Sequence, residues 1–264
     1  MWNPHEQRVV VTGASSGIGA ATAIELARQG AVVGLVARRK HQLAEVLAAC
    51  RETSPHSQMF VADLAELDAL PALVERMTAT LGQIDVLVNN AGVPKRRKVS
   101  TMTLDDAESV MRMNYLSPVA LTMAVLPAMR ARDSGHVVNI SSMGAHMVAF
   151  GVGAYSATKA ALEFFTEAMY VELASTGVRA HVVVPGTTAS EFSTPKDGND
   201  PPFPSDPATT ASPEQVAAAI IACLSDDRFI TYATERDQAT AVARNADPNA
   251  FLASMAERLK GLNR

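Results

Sequence analysis

The chain has 264 residues, 48% of them hydrophobic, enough to bury one large core. A formal charge of −4 and a pI near 5.9 argue against nucleic acid as the main partner. Cys50 and Cys223 are the only cysteines and have no CxxC spacing, so a disulfide framework is not expected, and no apolar run reaches the length of a membrane span. The polar start MWNPHEQR lacks a signal-type apolar region. A soluble, cytoplasmic protein in a reducing compartment is the expectation.

Val9, Val10 and Val11 begin a β-branched strand that runs into TGASSGIG at 12–19. A helix follows over about 17–29, with Gly30 suited to its C-terminal cap. Residues 31–37 read as an apolar strand without alternation, which fits a sheet covered on both faces. The rhythm recurs: HSQMFVADL is a third strand, LPALVERMTATLG a helix and IDVLVNNAG a fourth strand. Helical patterns run through 104–130 and 154–174, with HVVNISS as a fifth strand between them. Pro118 is expected to kink the first of these helices or to make its local turn adjust. GVRAHVVVPG is a sixth strand.

Residues 187–212 are rich in Pro, Asp, Ser and Thr and have no period. That composition fits disorder, and the position after a strand fits a mobile substrate-binding loop. Ser212 and Pro213 open another helix, and RFITYA is a last strand. Residues 225–264 then form a largely helical C-terminal region, suited to substrate or oligomer contacts. There is no internal repeat and no linker, so 1–264 reads as one doubly wound α/β domain.

The glycines of TGASSGIG, placed between strand and helix, let the backbone turn tightly and approach a pyrophosphate. The helix N-terminus behind them offers unpaired N–H groups to that charge. The spacing is GxxxGxG rather than GxGxxG, and taken alone it also fits an ordinary glycine-rich turn. At the end of strand two, an Asp or Glu would accept from the ribose 2′-hydroxyl of NAD. Here Ala37 is followed by Arg38, Arg39 and Lys40. Guanidinium groups hold a 2′-phosphate by paired hydrogen bonds, so NADP(H) is preferred over NAD(H). A solvated basic helix start is the competing reading. Asp63, ending strand three, suits either the adenine amino group or a cap on the next turn.

Several motifs occur together. NNAG stands at 89–92, Asn114 lies in MRMNYLSP, and Ser142 precedes Tyr155 by thirteen residues. Tyr155 and Lys159 form a YxxxK pair, and Pro185–Gly186 follows strand six. With the glycine loop, these make residues 7–190 resemble the classical short-chain dehydrogenase/reductase family. The resemblance implies a single Rossmann-type doubly wound parallel sheet of about seven strands, with helices on both faces. It also implies a catalytic set of Asn114, Ser142, Tyr155 and Lys159. Cofactor contacts are implied at Gly13, Ser15, Ser16, Gly17, Ile18 and Gly19 of the loop, and at Arg38, Arg39, Asp63 and Leu64. Further contacts fall on Asn90, Ala91 and Gly92, on Tyr155 and Lys159 again, and on Pro185, Gly186, Thr188 and Ser190. Arg38 takes the basic position of NADP-preferring members. Ser190 stands where the family often has a Thr on the nicotinamide carboxamide, and it keeps the hydroxyl. The basic run Lys95–Lys98 reads as a solvated loop in preference to a phosphate or acidic-substrate site.

Hydride transfer between an alcohol or carbonyl and nicotinamide needs a proton donor and acceptor at the oxygen. Tyrosine, with a reference pKa near 10, is a poor base unaided, and a nearby ammonium lowers that value. Residues i and i+4 share a helix face, so Lys159 lies under Tyr155. Ser142 would hold the substrate oxygen, and Asn114 a proton path behind Lys159. The histidines show no metal-ligand spacing, so no metal is needed. His146 suits the pocket wall and a structural role equally. Met143, Met147, Val148, Phe150 and Phe192 suggest an apolar wall and hence a hydrophobic secondary alcohol or ketone.

The family's four-helix dimer contact would use 104–130 and 154–174, giving a homodimer or homotetramer. The C-terminal stretch lacks the usual glycines of the tetramer contact. The reading is thus an NADP(H)-dependent oxidoreductase. A catalytically silent NADP(H)-binding sensor or scaffold, or a purely structural oligomer, are the alternatives.

Overall fold

In the computed structural model, which describes residues 2–147, 150–202 and 206–262, the run Val9–Val11 lies inside a sheet. It belongs to β1 (Arg8–Thr12), paired in parallel with β2 (Val32–Ala37) and β4 (Val86–Asn89). β3 (Gln58–Val61) lies outside β2, and β5 (Gly135–Ile140), β6 (Val178–Val184) and β7 (Ile230–Tyr232) extend the other side. The seven strands run in the order β3-β2-β1-β4-β5-β6-β7 and every pairing is parallel, as the sequence leads one to expect. The order reverses between β1 and β4, so their C-terminal ends lead to opposite sides and open a crevice.

Successive residues of a strand point to opposite faces. Val9 and Val11 enter a core with Leu26 of α1 (Gly17–Arg28), Leu43 of α2 (Lys40–Arg51) and Ile220 of α8 (Pro213–Asp226). Val10 enters the opposite core, with Met77 of α3 (Leu70–Leu81), Leu121 of α5 (Ser117–Ala131) and Met169 of α7 (Gly153–Glu172). Both faces are apolar because both are covered. The helix α2, which follows the Arg38–Lys40 run, buries Leu43, Val46, Leu47 and Cys50, a helical i, i+3, i+4, i+7 stripe. Burial pushes the Cys50 thiol up to about 11 and that of Cys223 up to about 12, and both cysteines are free.

The expected helix over 104–130 is interrupted. α4 (Leu104–Met111) passes through a π-turn at Arg112–Leu116 before α5 begins. Pro118 explains the interruption. It has no N–H for the carbonyl four residues back, that of Asn114, and its ring crowds that carbonyl. The ladder shifts instead, with the Ser117 N–H donating to the carbonyl of Arg112. After β5 comes a short turn, α6 (Met143–His146), and after β7 come α9 (Glu235–Ala246) and α10 (Pro248–Leu262). The segment after β6 is pinned by a bridge from Thr188 to Ala211 and contains short turns at Glu191–Ser193 and Pro207–Thr209. No helix among the described residues is long and apolar enough to cross a membrane.

Two histidines stack between β5 and β6. The His181 Nδ1 donates to the Arg228 carbonyl at 2.8 Å, leaving its Nε2 to accept from His136 Nδ1 at 3.0 Å. Burial pushes His136 down to about 4, with repulsion from His181 adding to it, and burial lowers His181 too. Both rings are therefore neutral in the fold at pH values where free histidine is already protonated. The unfolded chain binds more protons there, so stability is expected to fall as pH drops from about 6.5 towards 4. Urea unfolding between pH 6.5 and 5 should show this slope, and His136→Phe should reduce it by about half. An unchanged slope in the variant refutes the assignment.

Candidate active site

The glycine loop and the NNAG turn meet at the C-terminal ends of β1 and β4. The Thr12 hydroxyl accepts from the amides of Asn90 and Ala91, both at 3.0 Å, and donates to the Val88 carbonyl. The Asn90 side chain returns a bond to the Thr12 carbonyl at 2.9 Å. Gly13 has φ +66°, and a Cβ there would stand 2.9 Å from the Ala91 Cα, so only glycine lets the two turns touch. Among the described residues, no side chain caps the N-terminus of α1, which leaves first-turn N–H groups facing the crevice.

A cleft of about 600 Å³ runs along this edge of the sheet. One end is lined by Ser15, Ser16, Gly17 and Ile18, by Arg38 and Arg39, and by Leu64. The middle is lined by Asn90, Ala91 and Gly92 on one wall and by Pro185, Gly186, Thr188 and Ser190 on the other. Three of the expected residues lie off the wall. Gly19 faces Gly13 and Asn90, where a Cβ would crowd the Asn90 amide. Asp63 accepts from the Ala65 amide at 3.0 Å, capping the next turn, and pairs with Arg38 at 3.3 Å. The third is Asn114.

The far end holds Ser142, Tyr155 and Lys159. Ser142 follows β5 and caps α6, its hydroxyl accepting from the Gly144 amide at 3.0 Å. Gly144 lies so near the phenol ring that a Cβ would be 3.1 Å from Tyr155 Cε1. Tyr155 stands in the first turn of α7, with Lys159 one turn on. The Lys159 Nζ donates to the Ile140 carbonyl at 2.8 Å and lies 5.9 Å from the centre of the Tyr155 ring. Burial dominates both groups. It pushes Tyr155 up to about 12, against a hydrogen bond with Ser142, and Lys159 down to about 8, against the pull of Glu163. The expected lowering of the phenol by the ammonium is not seen in this arrangement; the opposing influence on Tyr155 is the Ser142 hydrogen bond, and burial outweighs it.

Asn114 is fully buried behind this end. Its Oδ1 accepts from the Val93 amide at 2.8 Å and its Nδ2 donates to the Val93 carbonyl at 3.0 Å. Gly92, next to it, is placed so that a Cβ would be 3.3 Å from Asn114 Oδ1 and 3.7 Å from Lys159 Nζ. The π-turn thus presents an amide that fixes the segment after β4 beside Lys159.

The sequence profile of short chain dehydrogenases matches residues 7–200. The chain belongs to this family. An uncharacterised oxidoreductase of Mycobacterium bovis is 36% identical over 217 residues, 80% of this chain and 62% of the relative. The chain therefore spans less than two thirds of that relative's length. An NADP-dependent 3-hydroxy acid dehydrogenase of Schizosaccharomyces pombe is 34% identical over 188 residues, covering 70% of this chain and 73% of the relative. A solved short-chain dehydrogenase of Streptomyces avermitilis superposes with a TM-score of 0.82 at 29% identity, covering 97% of this chain and 98% of the other.

Two residues of this short-chain dehydrogenase escape the sequence reading. Glu163 is buried one turn beyond Lys159 and accepts from the Ser141 hydroxyl; His146 Nε2 bonds the same carboxylate at 3.0 Å. His146 also meets the Tyr232 ring edge-on at 5.5 Å, so it supports the site from behind and does not line the cleft. The i+4 spacing from Lys159 was the available signal for Glu163. Arg96 is the second. The run Lys95–Lys98, expected to be a solvated loop, is largely engaged: Lys95 pairs with Asp106 at 2.8 Å and Arg97 with Asp200 at 3.3 Å. Arg96 is only 5% exposed and donates to the carbonyls of Phe192, Thr194 and Asp200. It fastens the segment after β6, whose Phe192 ring lies 5.5 Å from that of Tyr155. Among the expected apolar wall residues, Met143, Met147 and Phe192 line the cleft. Phe150 lies outside it, 5.2 Å under the Lys98 ammonium, and Val148 is outside the described residues.

Asn114→Ala would take their side-chain partner from the half-buried N–H and C=O of Val93. A loss of about 2 kcal/mol is expected, since each hydrogen bond contributes about 0.5–1.5 kcal/mol net. Urea unfolding of the variant measures it, and a change near zero would show that the amide pair is dispensable.

Proposed function

We propose that the protein is an NADP(H)-dependent oxidoreductase that transfers hydride between nicotinamide and a secondary alcohol or ketone with an apolar flank. One observation carries the reading. Ser142, Tyr155 and Lys159 stand at one end of a single cleft whose other end presents Arg38 and Arg39. The residues fit a dinucleotide: glycines at the closest backbone approach, open N–H groups at the start of α1, and two guanidinium groups where a 2′-phosphate would lie. The bound cofactor supplies or accepts the hydride.

The chain's own residues handle the proton and the oxygen. Ser142 hydrogen-bonds the substrate oxygen and steadies the charge that develops on it. Tyr155 donates its proton to a carbonyl oxygen, or receives one from an alcohol. Its burial favours the neutral phenol, which suits donation. Lys159, held by the Ile140 carbonyl, brings positive charge beneath the ring and favours the phenolate as it forms. Asn114 keeps Gly92 and Val93 beside Lys159. Met143, Met147 and Phe192 favour an apolar substrate body.

The relative in Schizosaccharomyces pombe, NADP-dependent by name, supports the cofactor choice. Retention of all four catalytic side chains favours an enzyme over a silent sensor or scaffold. Met123 on α5 and Phe164 and Val171 on α7 are 65%, 72% and 71% exposed, and covering them in a homodimer or homotetramer accounts for these apolar faces. Two free, buried thiols suit the cytoplasm.

Tyr155→Phe should cut carbonyl-dependent NADPH oxidation by about a thousandfold while NADPH still binds. Residual turnover near the parent's would refute Tyr155 as the acid. Arg38→Asp should raise the dissociation constant for NADPH by at least about tenfold and that for NADH far less. Equal losses for both would remove the 2′-phosphate from Arg38.

A further inference from the structure

Arg39 and Glu191 are 152 residues apart in the chain, yet they meet across the cleft. The Arg39 Nη1 donates to Glu191 Oε2 at 2.6 Å. Its Nη2 donates to the Ser16 hydroxyl at 2.6 Å and to Ser15 at 3.1 Å, and its Nε approaches Ser15 at 3.3 Å. Ser15 and Ser16 belong to the glycine loop, and all four residues line the cleft. Behind this contact, a Cβ on Gly17 would stand 3.1 Å from the Ser190 Cβ, so the loop and the segment after β6 already touch. The Arg39–Glu191 pair therefore bridges the groove from the glycine-loop side to the turn at Glu191–Ser193.

That turn leads directly to the catalytic end. Glu191 precedes Phe192, whose ring lies against Tyr155 at 5.5 Å. The turn is held on its other side by Arg96, through the Phe192 and Thr194 carbonyls. The Glu191 carboxylate faces Arg39 and Ser16, with Lys196 adding attraction, and Arg39 foremost holds it below the usual carboxylate range. The two side chains are 41% and 54% exposed, so the pair is a weak surface bridge that a stronger anion can displace.

Resting on the NADP(H) reading above, we propose that Glu191 is a cofactor-specificity residue. It occupies the Arg39 guanidinium that a 2′-phosphate would take, and arrival of that phosphate releases Glu191 and loosens the turn carrying Phe192. A phosphate monoester carries more negative charge than a carboxylate and offers three acceptor oxygens, so it outcompetes Glu191 for the guanidinium. Two anions sharing one guanidinium repel, so Glu191 is expelled. A ligand with a free 2′-hydroxyl leaves the bridge closed. Discrimination between the two dinucleotides is thus relayed to the cover of the acid Tyr155.

The test uses the whole protein with adenosine 2′,5′-bisphosphate and adenosine 5′-phosphate as probes, in calorimetry and amide hydrogen exchange. In the parent, the bisphosphate should bind more tightly than the monophosphate. It alone should speed exchange at the amides of Phe192, Ser193 and Thr194, which close the turn on Ser190 and Glu191. In Glu191→Gln, those amides should exchange fast without ligand. The bisphosphate should bind about threefold more tightly, and the monophosphate should bind unchanged. A bisphosphate affinity that does not rise in the variant, with the parent's preference intact, overturns the role of Glu191 and leaves the NADP(H) reading standing. A parent that binds both probes equally overturns both.

Discussion

The Thr12 hydroxyl, bonded to the amides of Asn90 and Ala91, is the interaction on which the site depends. It ties the end of β1 to the end of β4 where the strand order reverses. Parallel strands whose connections depart to opposite faces leave a gap there. The hydroxyl and the close approach at Gly13 set its floor. Everything that lines the cleft is placed relative to that floor: the start of α1 on one side, Gly92 and Lys159 on the other. Backbone N–H groups turned away from water need partners, and Thr12 serves two half-buried ones at once.

Charge burial shapes the catalytic end. Lys159 is held by one carbonyl and by the field of Glu163, and burial still pulls it down to about 8. Glu163 in turn is satisfied by Ser141 and His146. Arg96 is buried against three carbonyls and carries no carboxylate on its own guanidinium among the described residues. These buried ionic groups fix positions, since each is costly to bury unless its partners are held in place. The Ser142–Tyr155–Lys159 geometry is a product of that surrounding shell as much as of α7.

Most of the architecture was legible in the order of the residues. Alternation was missing from Val32–Ala37 because both faces of the sheet are covered, and that absence announced a buried parallel strand. The glycine loop, the 155/159 pair and the arginines after β2 were legible because their chemistry depends on local spacing. The interruption at Arg112–Leu116 was half legible. Pro118 signalled a disturbance, but only packing decided that the helix would bulge and continue rather than bend away. Arg96 was missed because its partners lie 96 to 104 residues away, and Glu163 because its hydrogen-bond partners lie 17 and 22 residues back, although Lys159 stands only four away.

Sequence by itself determined the parallel sheet, its glycine loop and the Tyr155–Lys159 pairing on one helix face, because periodicity and i,i+4 spacing are local properties of one chain. Tertiary structure alone decided which charges would be spent inside the protein. Lys95, Arg96 and Arg97 look like a solvated run, but they hold Asp106, Asp200 and the carbonyls of the segment after β6. Arg39 looks like a phosphate ligand, and it also grips Glu191 across the cleft. A formal charge written in sequence has no fixed partner. The partner is set by which distant carboxylate or carbonyl the fold brings within hydrogen-bonding reach.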